Sequence, residues 1–354
     1  MINEIIGLNV RSVLVIGIGG GGDVVGSSIT YSLAVNEGKE AVLGAVLWER
    51  YINDIVPGPI RVQELRNAEV FGNYLAMVDG DTYAIREGRR VVPQIANVLS
   101  VIKDDGLGIS ISGSVNDVAR ELSTYVNKYG FDAIIGIDVG GDVLALGNED
   151  GLYSPLTDSY SVAVLSKVQD YTGAQVVLGI AGPGVDGELD RDYVLMRISQ
   201  LASKCAFLGA YGPTRGDLMI LEDILSKAVT EASGLVYRAA KGYHGNVGIR
   251  GSTKNVKLDI SSSITYYLDL RKIISDLPLA NLVINARDPW DAMRTLNSKG
   301  VMTELNFEEE VYRYYKTKSK IPSPEEAYLM IKEIKNRLKS QVQLMSNQHG
   351  STHH

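Results

Sequence analysis

Apolar runs alternate with segments of helical spacing along most of the chain, and this alternation predicts a regular series of strands and helices. The apolar runs expected to be strands are Ser12–Gly19, Ala41–Trp48, Gly106–Ser112, Phe131–Asp138, Ala174–Ala181 and Ala206–Tyr211. The segments expected to be helices are Val24–Asn36, the stretch between the N-cap Ser114 and the stop Gly130, Ser154–Gln169, Leu189–Lys204 and Leu218–Ala240. Strands that are apolar throughout are covered on both faces. The pattern therefore predicts an α/β fold with a Rossmann-like, doubly wound and mainly parallel sheet.

Two segments interrupt this rhythm and predict small antiparallel insertions. In the first, near residues 57–93, YLAMVD and TYAI flank Asp79-Gly80-Asp81, which is typical of a hairpin. The second, near residues 242–270, has a glycine-rich stretch followed by ITYYLDL. Because no sharp change in composition marks a linker, we expect a single domain over residues 1–345. A flexible tail, residues 346–354, is expected to follow, and its tag-like His353 and His354 are excluded from function.

The composition is that of a globular protein and excludes several classes of function. Of the 354 residues, 45% are hydrophobic and 22% are charged, which argues against a disordered chain. The formal net charge of −7 gives no general attraction to nucleic acid or to anionic membranes, so neither partner is expected. No apolar stretch reaches the roughly 20 residues of a membrane span, and the N-terminus is unlike a signal peptide, so we expect a cytoplasmic location. The single cysteine, Cys205, is expected to be a buried thiol.

A glycine-rich turn follows the first predicted strand in the stretch GIGGGGDVVGS. Its spacing satisfies G-x-G-x-x-G between a strand and a helix, the context of a phosphate- or dinucleotide-binding turn. We expect the backbone N–H groups of Gly19, Gly20, Gly21 and Gly22 to face a phosphate at the start of the helix. Glu49, at the end of the second strand, is placed to accept a ribose hydroxyl group.

A second glycine-rich turn, IGIDVGGDVLALGNED, repeats Gly-Gly-Asp before an apolar pair. Because both turns follow strands of one predicted sheet, Asp23 and Asp142 are expected to open into one crevice. A carboxylate at Asp23 would repel a phosphate unless a cation intervenes. Two plainer explanations stay open: Asp23 caps its own helix, and Gly-Gly-Asp recurs by chance in a chain with 37 glycines.

The acidic residues around these turns suit Mg²⁺ or Mn²⁺, or a pair of carboxylates with acid and base roles. Candidate metal ligands are Asp23, Asp138, Asp142 and Glu149, and Asp158 follows them without an assigned role. Candidate catalytic residues are Asp138, Asp142, His244 and Asp186, the last beside Glu188 in GIAGPGVDGELD. Arg215, in AYGPTRGD, is a candidate clamp for a phosphate or carboxylate. A surface ion pair is the alternative for Arg215, and a plain surface residue is the alternative for His244.

At GIGGGGDVVGS and IDVGGDVLALGNEDGLYSPLTD the chain resembles a mostly archaeal family known as domain of unknown function 1152, from about Val13 to the helix near Asn336. The family has no established activity, so the resemblance implies a shared fold and an archaeal cytoplasm and supplies no catalytic residues. The second segment also resembles the Gly-Gly-Asn-Glu stretch of D-glutamate cyclase-like proteins, but Asp142 stands where that stretch has Asn.

Three functions fit these features. The first is a small-molecule enzyme that binds a nucleotide, a sugar phosphate or a similar polar metabolite and performs hydrolysis, lyase chemistry or group transfer. The second is an NAD-dependent oxidoreductase, for which Glu49 is the test. The third is a non-catalytic metabolite-binding or interaction protein. The sequence leaves the substrate, the metal and the oligomeric state open, a homo-oligomer included.

Overall fold

One large mixed sheet forms the centre of the protein, as described by a computed structural model that covers the backbone of residues 1–350 and the side chains of residues 1–344. The strands of the described chain are β1 (Ser12–Gly17), β2 (Glu40–Val46), β3 (Leu65–Val70), β4 (Leu75–Arg86), β5 (Arg89–Val91), β6 (Gly106–Ile109), β7 (Ala133–Val139), β8 (Gln175–Ala181), β9 (Phe207–Tyr211), β10 (Gly245–Ile249), β11 (Lys254–Leu258) and β12 (Thr265–Asp269). The main sheet runs in the order β3-β4-β6-β2-β1-β7-β8-β12-β9, and β5 pairs with β4. The strands β10 and β11 form a separate antiparallel pair.

The five central strands of the main sheet are parallel, and its edges are antiparallel. Strand β1 pairs in parallel with both β2 and β7, and the parallel pairing continues to β6 and β8. Strands β4 and β12 then join in the antiparallel direction on the two sides. This arrangement confirms an α/β fold with a mixed sheet that is mostly parallel in its core. The connections that leave β1 and β7 go to opposite sides of the sheet, so a crevice opens between the carboxyl ends of these two strands.

Helices cover both faces of the sheet. The helices of the described chain are α1 (Ile2–Ile6), α2 (Asp23–Asn36), α3 (Gln94–Ile102), α4 (Val115–Tyr129), α5 (Leu156–Thr172), α6 (Arg191–Ala202), α7 (Arg215–Leu225), α8 (Ala232–Ala240), α9 (Leu270–Ile273), α10 (Pro278–Val283), α11 (Pro289–Asn297), α12 (Glu304–Lys318) and α13 (Pro324–Gly350). Within β1, Leu14 and Ile16 face the core beneath α4 and α5, whereas Val13 and Val15 face the core beneath α2. The strands are apolar throughout because each face is buried beneath helices. Among the described residues, no helix combines the length and the apolar character that a membrane span requires.

Local signals placed several elements correctly. The side chain of Ser114 accepts a hydrogen bond from the backbone N–H of Asp117 and starts α4, and Gly130 ends that helix in the left-handed conformation. The excursion predicted near residues 242–270 contains the antiparallel pair of β10 and β11. Its apolar segment ITYYLDL contains β12, which joins the main sheet instead.

The prediction of one long helix over Leu218–Ala240 is wrong. The chain forms α7 and α8 with a break at residues 226–231. At the break, Thr230 packs against Gly22, where an added Cβ would collide with its side chain. Nearby, the hydroxyl of Ser233 donates to the carbonyl of Gly22 at 2.9 Å. The break therefore lets the chain contact the first glycine-rich turn.

The antiparallel insertion predicted near residues 57–93 is present as β3, β4 and β5, but its turn is not at Asp79-Gly80-Asp81, so that part of the prediction is wrong. These residues lie within the continuous strand β4, where the pairing with β3 shifts register near Asn67. The carboxylate of Asp79 accepts hydrogen bonds from the Asp81 backbone and the Thr82 hydroxyl group, so the polar residues form a bulge rather than a turn. The segment extends the main sheet at its edge.

The prediction of a buried thiol is wrong. Cys205 is exposed and has a φ of 58°, because it lies in the turn between α6 and β9. The helix α13 continues to Gly350, so it includes the first residues of the tail expected from residue 346 onward. His353 and His354 lie outside the described residues.

Candidate functional site

A cavity of about 730 Å³ opens at the carboxyl ends of β1, β7 and β8. Its floor contains the first Gly-Gly-Asp turn together with Asp138, Val139 and Asp142 from the second, so both Asp23 and Asp142 line it. The N-terminal part of α5, the pair of β10 and β11, and the helices α12 and α13 complete its walls. The expectation that the two acid-bearing turns meet in one crevice is therefore confirmed.

Three aspartates form a first carboxylate triad on the floor. Asp23, Asp138 and Asp158 each offer one oxygen, and these oxygens lie within 4.8 Å of one another. They come from the start of α2, the end of β7 and the first turn of α5. Asp23 does not bond to its own helix: it accepts hydrogen bonds from the backbone N–H of Gly19 at 2.9 Å and of Val139 at 3.4 Å. This residue therefore ties the first glycine-rich turn to the end of β7.

A second carboxylate triad lies beside the first. Oxygens of Asp142, Asp186 and Glu188 also lie within 4.8 Å of one another. Glu188 accepts hydrogen bonds from the backbone N–H groups of Tyr153 at 2.8 Å and Ser154 at 2.9 Å, as well as from the Ser154 hydroxyl group. The carboxylates of Asp142 and Asp186 make no hydrogen bond of normal geometry within the described part of the chain. Asp142 and Asp186 are therefore the members of this triad whose carboxylate oxygens are available to bind a cation.

Burial and mutual repulsion raise the pKa values of the acids on the floor. The pKa of Asp23 rises to about 7, mainly because the group is buried, although Arg50 opposes the rise. The pKa values of Asp138 and Asp142 lie well above the ordinary range because of burial and then of neighbouring aspartates. Burial and then Glu188 raise the pKa of Asp186 to about 7. The floor therefore carries more acid than its surroundings can stabilise as anions.

Asp158 has a buried oxygen without a partner. The residue is 1% exposed, and its Oδ1 makes no hydrogen bond within the described residues. Burial, followed by the charges of Asp138 and Asp23, holds its pKa well above the ordinary range. Because buried polar atoms are nearly always paired, an unpaired carboxylate oxygen beside two other carboxylates indicates a place for a cation.

The first glycine-rich turn is shaped by these carboxylates. A Cβ at Gly19 would lie 2.5 Å from Asp23 Oδ2 and 2.7 Å from Asp158 Oδ1, so only glycine fits between them. Gly20 has a φ of 74°, which favours glycine as well. The backbone N–H of Gly19 donates to Asp23, and that of Gly21 donates to the carbonyl of Trp48 at 2.7 Å. The expectation that all four glycine N–H groups face a phosphate is therefore wrong for these two.

Cationic side chains complete the cavity, and most of them lie away from the floor. Arg50 reaches the floor, where its Nη2 donates to the carbonyl of Gly19 at 3.1 Å. The others lie on the pair of β10 and β11 and on one face of α13: Arg250, Lys254, Lys332, Lys335 and Lys339. The cavity thus has an acidic floor and a basic mouth.

Glu304 and Glu308 also line the cavity, but hydrogen bonds hold them in structural positions. Glu304 accepts from the backbone N–H groups of Leu156 at 3.0 Å and Thr157 at 2.7 Å, at the start of α5. Glu308 accepts from Trp48 Nε1 at 2.9 Å and from the backbone N–H of Gly58 at 3.0 Å. These bonds attach α12 to the walls of the cavity.

Four of the predicted site residues lie outside the cavity. Glu149 is bound instead by the backbone N–H groups of residues 146 and 147 and by the Tyr193 hydroxyl group, so it is not placed as a metal ligand. Glu49 is 4% exposed and accepts from the backbone N–H of Gln94 at 2.8 Å. Arg215 and His244 are both exposed, the first at the start of α7 and the second just before β10.

Sequence reasoning missed the roles of several residues that the structure brings into the site. Asp158 and Glu188 lie in the segments that follow β7 and β8, and this position after two neighbouring parallel strands was the signal that applied to both. Arg50, Arg250, Lys254 and Lys335 gave no such signal, because a single cation in a loop or on a polar helix face is usually at the surface. Their place in the cavity depends on how distant segments pack.

The comparisons with known proteins concern the family of the chain and not its activity. The family model described as Protein of unknown function (DUF1152) matches residues 14–312. A search of curated proteins finds no match. The matched residues include both glycine-rich turns and both carboxylate triads, whereas α13 lies beyond them. Since the match spans most of its length, the chain belongs to the DUF1152 family.

Proposed function

We propose that this protein is a divalent-metal-dependent enzyme that acts on a nucleotide, a sugar phosphate or a similar polar metabolite. The observation that carries the proposal is the buried and unpartnered Oδ1 of Asp158 within the first carboxylate triad. Carboxylate oxygens are the ligands that Mg²⁺ and Mn²⁺ prefer in proteins. A cation there would satisfy this oxygen and relieve the repulsion among the three aspartates.

The charge balance of the cavity supports two divalent ions. Its lining contains ten carboxylic acids and six lysines and arginines, a formal excess of four negative charges among the described residues. Two divalent ions would neutralise this excess. The first triad would hold one ion, and Asp142 with Asp186 and Glu188 would hold the other.

Among hydrolysis, lyase chemistry and group transfer, we favour hydrolysis. A divalent ion lowers the pKa of a bound water and so supplies a nucleophile near neutral pH, and a second ion stabilises the oxygen that leaves. In this chain, Asp23, Asp138 and Asp142 would hold the ions. The guanidinium of Arg50, beside the first triad, would offset part of the negative charge of the carboxylates on the floor. His244 has no part in this scheme because it lies outside the cavity.

The strand order supports the place of the ligand. The parallel strands follow the order β6-β2-β1-β7-β8, which reverses at β1, and this order favours a Rossmann-like description of the core. In such sheets, ligands bind in the crevice where the connections diverge. The cavity lies at this point, next to β1 and β7.

Metal titration followed by a turnover screen tests the proposal. Chelator-treated protein should bind Mn²⁺ or Mg²⁺ in isothermal titration calorimetry, and Asp142→Asn should weaken binding while the circular dichroism spectrum stays unchanged. A panel of phosphorylated metabolites should then yield a product only with metal and only with the unsubstituted protein. Metal binding without turnover of any compound would indicate the non-catalytic alternative. No metal binding at all would contradict the proposal.

A further inference from the structure

The mouth of the cavity contains cations that have no carboxylate partner. Lys254 Nζ donates to the backbone carbonyls of Gly187 at 2.7 Å and Gly151 at 3.2 Å. Lys335 Nζ donates to the carbonyl of Asp150 at 2.6 Å. Neither lysine forms an ion pair within the described residues. Backbone carbonyls orient these ammonium groups without neutralising them.

Arg250 adds a guanidinium group that is only partly paired. Its Nη2 donates to the carbonyl of Asp186 at 3.0 Å and lies 3.5 Å from Glu188 Oε1. Its Nη1 is buried and has no partner in the described part of the chain. The guanidinium lies 4.4 Å from the centre of the Tyr153 ring, and this stacking fixes its direction. The residue has a φ of 52°, a left-handed conformation that holds it at the turn before β11.

Lys254 lies close enough to both Arg250 and Lys335 for their positive charges to repel. Burial and then Arg250 lower the pKa of Lys254. Burial and then Lys254 lower the pKa of Lys335 to about 8. Positive charges held close together inside a protein lower its stability by their repulsion, and an anion bound between them would remove that repulsion. The group is also adjacent to Asp186 and Glu188, so an anion bound there would lie beside the second carboxylate triad.

We propose that Arg250, Lys254 and Lys335 bind a phosphate group of the substrate at the mouth of the cavity. A guanidinium and two ammonium groups supply the donors and the charge that a phosphate dianion requires. The assignment names phosphate esters as the substrate class, and it rests on the proposed metal-dependent function for the reaction performed on them. It replaces Arg215, whose exposed position lies away from the cavity, as the phosphate clamp.

The contrast with the glycine-rich turn explains why the phosphate is placed at the mouth. In the turn, Asp23 and Asp158 flank Gly19, so an anion there would meet two carboxylates. At the mouth, Glu188 already accepts three hydrogen bonds from residues 153 and 154, and Glu231 accepts from the backbone N–H of Arg250 at 3.0 Å. The phosphate and the metal ions would therefore occupy opposite ends of the second triad.

Calorimetric titration with inorganic phosphate tests the assignment, both in Mg²⁺ and in a chelator. Lys254→Met and Lys335→Met should each weaken phosphate binding roughly tenfold or more, which is typical of a lost hydrogen bond between charged groups. Arg250→Lys should weaken phosphate binding as well, because an ammonium group cannot donate the two parallel hydrogen bonds of a guanidinium. Lys299→Met, on an exposed lysine outside the cavity, is the matched control and should bind phosphate like the unsubstituted protein.

The ligand bearing the phosphate is identified by paired thermal-shift measurements. Adenosine monophosphate is compared with adenosine, and glucose 6-phosphate with glucose. The assignment predicts that at least one phosphorylated member raises the melting temperature, that its partner without phosphate does not, and that Lys254→Met removes the rise. Equal phosphate affinity in the two lysine variants and the unsubstituted protein would overturn the assignment. Because metal binding is titrated separately, a failure of the proposed metal site would be seen as a separate result.

Discussion

Asp23 and Asp158 direct carboxylate oxygens to the same point, within 4.8 Å of each other, on the two sides of Gly19. One residue begins α2 and the other lies in the first turn of α5, on opposite faces of the sheet. Two carboxylates at this distance, one of them fully buried, repel each other unless they share a proton or a cation. This pair is the centre of the proposed metal site, and the predictions below follow from it.

The first prediction concerns Asp158→Asn. At pH 7.5 the variant should stabilise the metal-free protein by about 1 kcal/mol, or roughly 2 °C in melting temperature, because an amide of the same shape avoids the cost of burying an acid whose pKa is raised. It should also remove most of the stabilisation by Mn²⁺, which reaches about 2.7 kcal/mol when the ion is at 100 times its dissociation constant. Differential scanning fluorimetry with and without Mn²⁺ measures both effects.

Glu149→Gln is the control for that measurement, because Glu149 lies outside the cavity. It should lower the melting temperature, since the bonds from residues 146 and 147 are altered, and leave the Mn²⁺-induced rise unchanged. A full Mn²⁺-induced rise in Asp158→Asn, or its loss in Glu149→Gln, would contradict the proposed first site.

The second prediction concerns pH. The pKa values of Asp23 and Asp186 are raised to about 7 and that of Glu308 to about 8, in each case chiefly by burial. Between roughly pH 4 and pH 8 the folded protein therefore binds more protons than the unfolded chain. The free energy of unfolding of metal-free protein should thus fall as the pH rises through this range, measured by urea denaturation.

Bound metal ions should oppose this fall in the free energy of unfolding at the upper end of the pH range. Protons and divalent ions compete for the same carboxylates, so the stabilisation by Mg²⁺ should be larger at pH 8 than at pH 5.5. Urea denaturation at both pH values, with Mg²⁺ and with a chelator, gives the comparison. A stabilisation by Mg²⁺ that is independent of pH would argue that the ion binds elsewhere.

The third prediction concerns Gly19→Ala. The new Cβ would force Asp23 and Asp158 apart, so the variant should cost about 1–3 kcal/mol of stability and lose the response to metal. Gly216→Ala is the matched control: its Cβ would meet nothing nearer than Thr214 Oγ1 at 3.7 Å, in the first turn of α7. The control should be neutral or slightly stabilising, because alanine is the better helix former. Retention of the full metal response in Gly19→Ala would show that the geometry of the turn does not set the site.

The fourth prediction concerns NAD(H). The carboxylate of Glu49 is directed to the backbone N–H of Gln94 and to Asn53 Nδ2, so it is not presented to a ribose in the cavity. Millimolar NAD(H) should produce no shift in melting temperature, either alone or with Mg²⁺. A shift of several degrees that disappears in Glu49→Gln would restore the oxidoreductase alternative.

Two kinds of prediction from the sequence succeeded, and both rest on neighbouring residues. The start of α4 at Ser114 and its end at Gly130 follow from capping chemistry within one turn of the helix. The apolar runs predicted the parallel strands β1, β7 and β8, because burial on both faces leaves no polar position. The shared crevice followed from one further rule, that loops after parallel strands lie along the same edge.

The two secondary-structure predictions that were wrong also have one cause in common. Asp79-Gly80-Asp81 has the composition of a turn, yet pairing with a neighbouring strand keeps it within β4 as a bulge. The helix predicted over Leu218–Ala240 has helical spacing, yet it breaks where Thr230 packs against the first glycine-rich turn. In both places a contact from a distant segment outweighed the local preference.

The sequence alone determined which segments are strands and which turns carry acid, because those features depend on residues close together in the chain. Only the tertiary structure decided which acids converge. Glu149 and Asp158 follow the same strand, but one binds backbone N–H groups of its own loop, and the other is directed by α5 toward Asp23. Arg250 and Lys335 likewise reach the cavity only because the pair of β10 and β11 and the helix α13 pack over it. The direction of a side chain after a turn is set by packing across the sheet, and no local pattern encodes it.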